Sequence, residues 1–499
     1  MTRLLLTIFL YICCGITPSM GSGNPGGFRL APVFGEHMVV QQKKPILFYG
    51  SSNRGDQIRV RFDQENRQAE TTGELWKAEF PPVPAGGPHS LEIWVNDTLK
   101  IQWHDILSGE VWLCSGQSNM AFELKNAEGG QAAVQVSGDP GLRLFNYRGF
   151  IATDDIAFDR SSLDRINKLD YFKGAWQQSS PEQAADFSAI AYHFGRLIRE
   201  KLQVPVGLVQ VAVGGAPIES FIDRKSLEDH PVLVPEFRNR EKNELIMEWV
   251  RGRIMRNIGP SALKNQRHPY DPAYIFDAGI APLGGFPVQG VIWYQGESNA
   301  HDAELYRTAF KVFLQSWRNF RNDPELPFLF AQLSGIDRPS WPVFRDMQRR
   351  LAEEMPRTWM AVTSDLGDSL NVHPIRKREV GERLAALALN KIYGKNIVCE
   401  GPGPFKITRK EDRVTISFRS AGGLRTSDGK PLRELEIAGS DGIFMEVPCT
   451  IKGKRVEVPC AGQNIQAVRY AWKPFSHGNL VNRSAWPAST FLKEVSVKP

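Results

Sequence analysis

Cysteine is scarce: six residues in 499, none in a Cys-x-x-Cys pair. That excludes a small disulfide-stapled scaffold and offers no zinc-site spacing. An excess of one charge is lacking too, since 61 Lys and Arg face 55 Asp and Glu for a formal +6. With no long basic block, a nucleic-acid partner is argued against. The 44 glycines and 33 prolines fall well short of the roughly 25–30% that marks a low-complexity chain, so most of the sequence should fold. No tandem repeat, P-loop, Gly-x-Gly-x-x-Gly or His-Glu-x-x-His signature is present. A chain of this length has room for one large core or several smaller ones.

Long apolar runs are absent save one. After Arg3, residues 4–16 are apolar and give way to Pro18, Ser19, Gly21 and Ser22. A basic start, a short apolar centre and small residues beyond it read as a cleaved signal peptide over 1–22; the run is short of the roughly 20 residues that span a bilayer. The expected location is secreted, periplasmic or lysosomal/luminal, with no stable membrane anchor. Cys114, Cys399, Cys449 and Cys460 remain after cleavage. Cys449 and Cys460 flank a Gly-Lys turn, which suits either a hairpin disulfide or two isolated thiols. In a eukaryotic secretory route Asn96 and Asn482 would be glycosylation acceptors.

Beyond the signal, three textures follow. Residues 23–106 alternate in short segments broken by turns, the pattern of an all-β, sandwich-like domain. Residues 107–395 alternate buried strand-like runs (110–114, 206–213, 288–294, 328–333, 359–363) with amphipathic helices (187–202, 303–320, 343–354, 377–393). That rhythm predicts a parallel sheet covered by helices on both faces. A stretch poor in strand signal, 217–271, with a charged helix around 241–256, reads as an insertion at the mouth of this domain. From 396 to 499 period two returns, giving a second β region.

In open α/β sheets ligands meet the loops beyond the carboxyl ends of the strands. Here those loops hold Ser115-Gly116-Gln117-Ser118-Asn119-Met120, then Gly214-Gly215-Ala216-Pro217, then Gln295-Gly296-Glu297-Ser298-Asn299, then a run from Asp365 through Asp368 to Asn371-Val372-His373-Pro374. A hydroxyl, a diglycine, a carboxamide beside a carboxylate and an acid–histidine pair make up the kit of a serine hydrolase. Ser118 is the candidate nucleophile, although no Gly-x-Ser-x-Gly elbow surrounds it; capping the following helix is the plain use of such a serine. His373 is the candidate base among nine histidines, with Asp368 as its orienter. Gly214 and Gly215 bring backbone N–H groups to a developing oxyanion, and Gln295, held by Glu297, adds a side-chain donor.

The Gly-Gln-Ser-Asn-Met block, the run Trp293-Tyr294-Gln295-Gly296-Glu297-Ser298-Asn299-Ala300 and the Asn371-Val372-His373-Pro374 loop together resemble the sialate O-acetylesterase family, a branch of the SGNH hydrolases. Gly214 to Glu219 and Val380 to Ala385 extend the likeness, which runs from about residue 30 to near Trp486. The resemblance implies an SGNH-type core with Ser118 as nucleophile, His373 as base, Gly214 or Gly215 at the oxyanion, and Gln295-Gly296-Glu297 in place of the Gly-x-Asn block. Many relatives carry aspartate where this chain has Asn371, which leaves Asp368 as the acid or a Ser–His dyad. Phe221 stands where relatives tend to have tryptophan, a change that would reshape the acyl pocket.

The expected reaction is removal of O-acetyl groups from a carbohydrate, 9-O-acetylated sialic acid first, with water as co-substrate and without a metal or organic cofactor. Three alternatives stand beside it: an esterase for xylan or another acetylated polysaccharide, a glycosidase pairing Glu297 with Asp365 or Asp368, and a non-catalytic carbohydrate-binding protein.

Overall fold

The structure, a computed structural model, describes residues 27–259, 263–410, 412–460 and 463–497; the expected signal peptide lies outside them. One strand organises the molecule. β1 (Thr98–Gly116) is 19 residues long. Its first half pairs antiparallel with Gly86–Val95 in the N-terminal β region, and from Glu110 onward it is the middle strand of the main sheet. The change follows the side chains: Thr98 to Lys100 are exposed and Lys100 to His104 alternate between exposed and half-buried, whereas Val111-Trp112-Leu113-Cys114 is apolar throughout and covered on both faces.

The main sheet adds β2 (Asp139–Asn146), β3 (Trp176–Ser179), β4 (Val206–Ala212), β5 (Gly290–Tyr294), β6 (Phe328–Ala331) and β7 (Thr358–Ala361). Their order is β3-β2-β4-β1-β5-β6-β7. Every neighbouring pair is parallel except β2–β3, which is antiparallel. The sheet is therefore mixed, not purely parallel as its rhythm suggested. The antiparallel edge escaped notice because β3 reads Trp-Gln-Gln-Ser and exposes both glutamines. From β1 the chain lays down β2 and β3 on one side, returns to insert β4 beside β1, and then adds β5, β6 and β7 in turn on the other side. β4 and β5 thus flank β1 on its two sides, and where the strand order reverses a crevice is left beyond the carboxyl end of β1.

The helices that bear on the site and its core are α1 (Ser118–Ala121), α2 (Ala189–Leu202), α3 (Glu248–Ile258), α4 (Ala303–Phe320), α5 (Trp341–Glu354) and α6 (Arg378–Lys391). Capping explains where the longer ones begin: the Ser188 hydroxyl accepts the Ala191 N–H at 3.0 Å, and Asp302 accepts from Glu304 and Leu305. α4 turns Phe310, Phe313, Leu314 and Trp317 to the core, where the Phe313 ring lies 4.5 Å from Trp293. Each such burial contributes about 1.5–3 kcal/mol. Phe221 belongs to this cluster, fully buried with its ring 4.9 Å from Trp293. It fills the core and is closed to an acyl group.

Buried side chains from Ala31 to Cys399 form one core shared by the N-terminal β region and the sheet, while Ile407 to Phe491 build a second. Arg345 ties the second to the first. Fully buried, it donates to the carbonyls of Ala471, Lys473 and Pro474 at 3.1, 2.5 and 2.9 Å. Cys449 forms no disulfide, so the hairpin bridge is not made: the register that pairs Thr450 with Glu457 carries Cys460 past the rung opposite Cys449. Asn96 is exposed. Asn482 is only 3% exposed and its amide donates to the Glu400 and Ser420 carbonyls, which closes it to glycosylation. Among the described residues no helix is long and apolar enough to cross a membrane.

Candidate active site

β1 ends at Gly116, whose φ of +141° and closeness to β5 both require glycine. A Cβ there would stand 2.1 Å from the Tyr294 carbonyl oxygen. The chain then turns through extended Gln117 into the short helix α1, with Ser118 as its first residue. At that position the Ser118 N–H has no intrahelical acceptor. The serine side chain is half-buried and lies against the loop after β7, where the Ser118 hydroxyl and His373 Nε2 are hydrogen-bonded at 2.7 Å. Two residues 255 apart in sequence are thus joined by the crevice that the strand order creates.

For Nε2 to accept, the imidazole must be neutral with its proton on Nδ1. Burial and the nearby Lys377 ammonium both hold His373 below its ordinary value of 6.5, the direction that keeps a base available. Asp368 does not orient it. Its Oδ1 accepts the backbone N–H groups of Leu370 and Asn371, each at 2.9 Å, and these hold its exposed carboxyl below the usual range. An aspartate two or three residues before free amides makes this local turn readily. Asn371 makes another, accepting the His373 N–H at 2.9 Å. Asp365 is engaged by Arg383 in a bidentate pair at 2.6 and 2.7 Å. With both aspartates held, neither is left to pair with Glu297 as a glycosidase would need.

The diglycine follows β4. A Cβ on Gly214 would lie 3.8 Å from that of Ser118, so this turn flanks the hydroxyl. The Gly214 carbonyl accepts from Tyr270 at 2.6 Å and Thr153 at 2.8 Å. Because that carbonyl and the Gly215 N–H share one planar trans peptide, pinning the oxygen fixes the N–H in the opposite direction. The N–H groups of Ser118, Gly214 and Gly215 have no acceptor among the described residues. Gly215 sits at φ +74°, where a Cβ would meet the Tyr270 hydroxyl at 2.2 Å and the Trp249 ring at 3.0 Å. Both aromatics come from the 217–271 segment, whose helix α3 begins later than the sequence suggested. Trp249 is 38% exposed.

Gln295 is turned away from the oxyanion role. Its amide nitrogen donates to the Ala216 carbonyl at 3.2 Å and to Asn299 Oδ1 at 2.7 Å. That orientation is pinned, since Asn299 Oδ1 also accepts from the Ile218 N–H while its own amide donates to Glu219. Gln295 therefore braces the diglycine loop from behind. Glu297 does not hold Gln295; its carboxylate accepts from Asn119. Asn119 and Lys377 were missed by sequence reasoning. The first stood in plain view beside Ser118, whereas a lysine ahead of a helix carried no signal of burial. Among the described residues no group of three or more His, Cys, Asp or Glu side chains is gathered as a metal site.

The family model for carbohydrate esterases described as sialic acid-specific acetylesterase matches residues 108–390, more than half of the chain. The chain belongs to that family. It is accordingly a carboxylic-ester hydrolase of the carbohydrate acetylesterase kind. It is 29% identical over 551 aligned residues to the sialate O-acetylesterase of Mus musculus, covering 98% of each chain. It is 28% identical to that of Rattus norvegicus, covering 91% of each. Among solved structures, a carbohydrate acetylesterase from Xanthomonas citri superposes with a TM-score of 0.75 at 29% identity, over 93% of this chain and 99% of that one. The family match spans β1 to α6, the elements that assemble the Ser118–His373 site.

Proposed function

We propose that this acetylesterase removes O-acetyl groups from sialic acid, the 9-O-acetyl group first, through an acetyl-enzyme on Ser118. The observation that carries the reading is the 2.7 Å hydrogen bond from the Ser118 hydroxyl to His373 Nε2. Ser118 Oγ attacks the acetyl carbonyl as His373 takes its proton. The N–H groups of Ser118 and Gly215 receive the oxyanion, at the edge of a half-buried turn where such dipoles act strongly. His373 then protonates the departing sugar oxygen. Water, deprotonated by the same imidazole, attacks the acyl-enzyme and releases acetate. Among the described residues no aspartate bonds His373 Nδ1, and on this reading the pair works as a dyad.

An SGNH-type core accords with the position of the nucleophile directly after the central strand. A location outside the cytosol accords with the apolar run at 4–16. The substrate reading rests on the sialate O-acetylesterases that match nearly the whole chain. A second reading, another acetylated carbohydrate, is favoured by the Xanthomonas citri relative, a carbohydrate acetylesterase. Acetate release from a panel of O-acetylated sialic acids, acetylated xylan and other acetylated glycans decides between them, with Ser118→Ala as the control. Preference for xylan or another glycan over every sialic acid would overturn the first reading, and full activity of Ser118→Ala would overturn the mechanism.

A further inference from the structure

Among the described residues no acid bonds the second imidazole nitrogen, so something else must hold His373 in place. Asn119, the residue after the nucleophile and 1% exposed, ties the relevant segments at one amide. Its nitrogen donates to the Val372 carbonyl at 3.0 Å and to the Glu297 carboxylate. Its oxygen accepts from the Lys377 ammonium. Val372 directly precedes His373, Lys377 ends the same loop at the start of α6, and Glu297 lies in the loop after β5. The nucleophile's turn and the base's loop on either side of His373 therefore share a single hub.

Lys377 is an unusual occupant of such a place. It is 1% exposed, its ammonium lies 4.8 Å from the Phe122 ring centre and 5.7 Å from that of Tyr294, and burial pulls it down to about 7 against the opposing pull of Glu297. Burial pushes Glu297 up, and one of its oxygens is buried without a partner. A buried charge pair of this kind contributes little to stability compared with apolar side chains of the same volume. Its position beside the dyad is what calls for it.

We propose that Lys377 and Asn119 are positioning residues that hold the Val372–His373 backbone against Ser118, doing the work a triad aspartate does elsewhere. The inference rests on the Ser118–His373 reading. It carries an electrostatic consequence, because a cation beside the imidazole opposes its protonation. The other charged groups of the loop face elsewhere: Asp368 holds backbone amides, Arg376 pairs with Glu379, and Asp365 pairs with Arg383. Glu297 accepts from Asn119 and acts on the Lys377 ammonium through its charge.

The test is the pH profile of aryl acetate hydrolysis by the full chain and its variants. For Lys377→Met and Asn119→Ala, kcat falls roughly 10- to 100-fold, the cost of a small misplacement of a reacting group, while KM changes by less than about 2-fold. In Lys377→Met the acidic limb of kcat/KM also moves to higher pH, since the lost cation no longer disfavours the protonated imidazole. The double variant loses no more than the worse single one, as residues acting as one unit do. Glu297→Gln/Lys377→Met removes both charges together and serves where the single variant does not fold; it shows the same loss and the same shift. A folded Lys377→Met or Glu297→Gln/Lys377→Met enzyme with kcat within about 2-fold of the parent and an unmoved acidic limb would overturn the proposal. So would losses that add in the double variant. Ser118→Ala keeps the two questions apart: if it is inactive while Lys377→Met is unimpaired, only the positioning role fails, and if it stays active, the dyad itself is wrong.

Discussion

Asp368→Asn separates a dyad from a triad more sharply than any other single change in this loop. In the structure the Asp368 carboxylate makes two bonds, both to backbone N–H groups within its own turn, and it faces solvent. Asparagine keeps an oxygen in the same place, so the turn and the His373 loop it supports should persist. The change then alters only the charge behind two exposed hydrogen bonds, and kcat/KM should stay within about 3-fold of the parent. An aspartate that oriented the base would behave differently, because its replacement by asparagine presents the wrong tautomer and lowers kcat about 10⁴-fold. The pH dependence carries the same information. Asp368 is held below the usual carboxylate range, so it stays ionised through the acidic limb, which belongs to His373. The assay is kcat/KM for an aryl acetate and for an O-acetylated sialic acid across that limb. A loss of 10³-fold or more with intact structure would refute the reasoning and restore the triad.

Other consequences follow from the same geometry. His373 is held below 6.5 by burial and Lys377, so kcat/KM should be retained as pH drops through 6.5 and fall only beneath it; an acidic midpoint above that value would contradict this. Gly215→Ala places a methyl group on the Tyr270 hydroxyl in left-handed backbone, a cost of about 2–5 kcal/mol, measured by denaturant unfolding together with a loss of kcat; an unchanged midpoint and rate would refute it. Trp249→Ala removes an exposed ring beside Gly215 and should raise KM for acetylated sugars severalfold more than for an aryl acetate. Equal effects on both would show that the ring does not face the sugar. Arg345→Met leaves the Ala471, Lys473 and Pro474 carbonyls of the C-terminal region, the first of them buried, without their donor, a loss of about 1–3 kcal/mol. That region should become sensitive to limited proteolysis first, and uniform resistance would argue against the brace.

What was legible in the sequence followed physical signals that act over short range. Val206–Ala212 and Gly290–Tyr294 announced themselves as buried strands because both faces are covered and, Gln210 apart, every residue is apolar or glycine. Ser118 and His373 stood out because reactive side chains follow such strands. The polar edge strand Trp176–Ser179 had no such pattern. Asp368 misled because proximity in sequence to a histidine is also what a turn-forming aspartate shows, and the local backbone amides win that competition. Gln295 misled in the same way: a carboxamide near a strand end serves either substrate or scaffold, and only the Asn299–Glu219 chain of hydrogen bonds shows which. The Asn119–Lys377–Glu297 hub joins positions up to 258 residues apart, a relation that no local pattern encodes.

The most direct test of the account is acetate release from an O-acetylated sialic acid by the intact protein and by Ser118→Ala. The account predicts that the parent frees acetate and the deacetylated sugar, while the variant, folded and with an unchanged spectrum, does so no faster than buffer. Acetate release by Ser118→Ala at the parent's rate would contradict it.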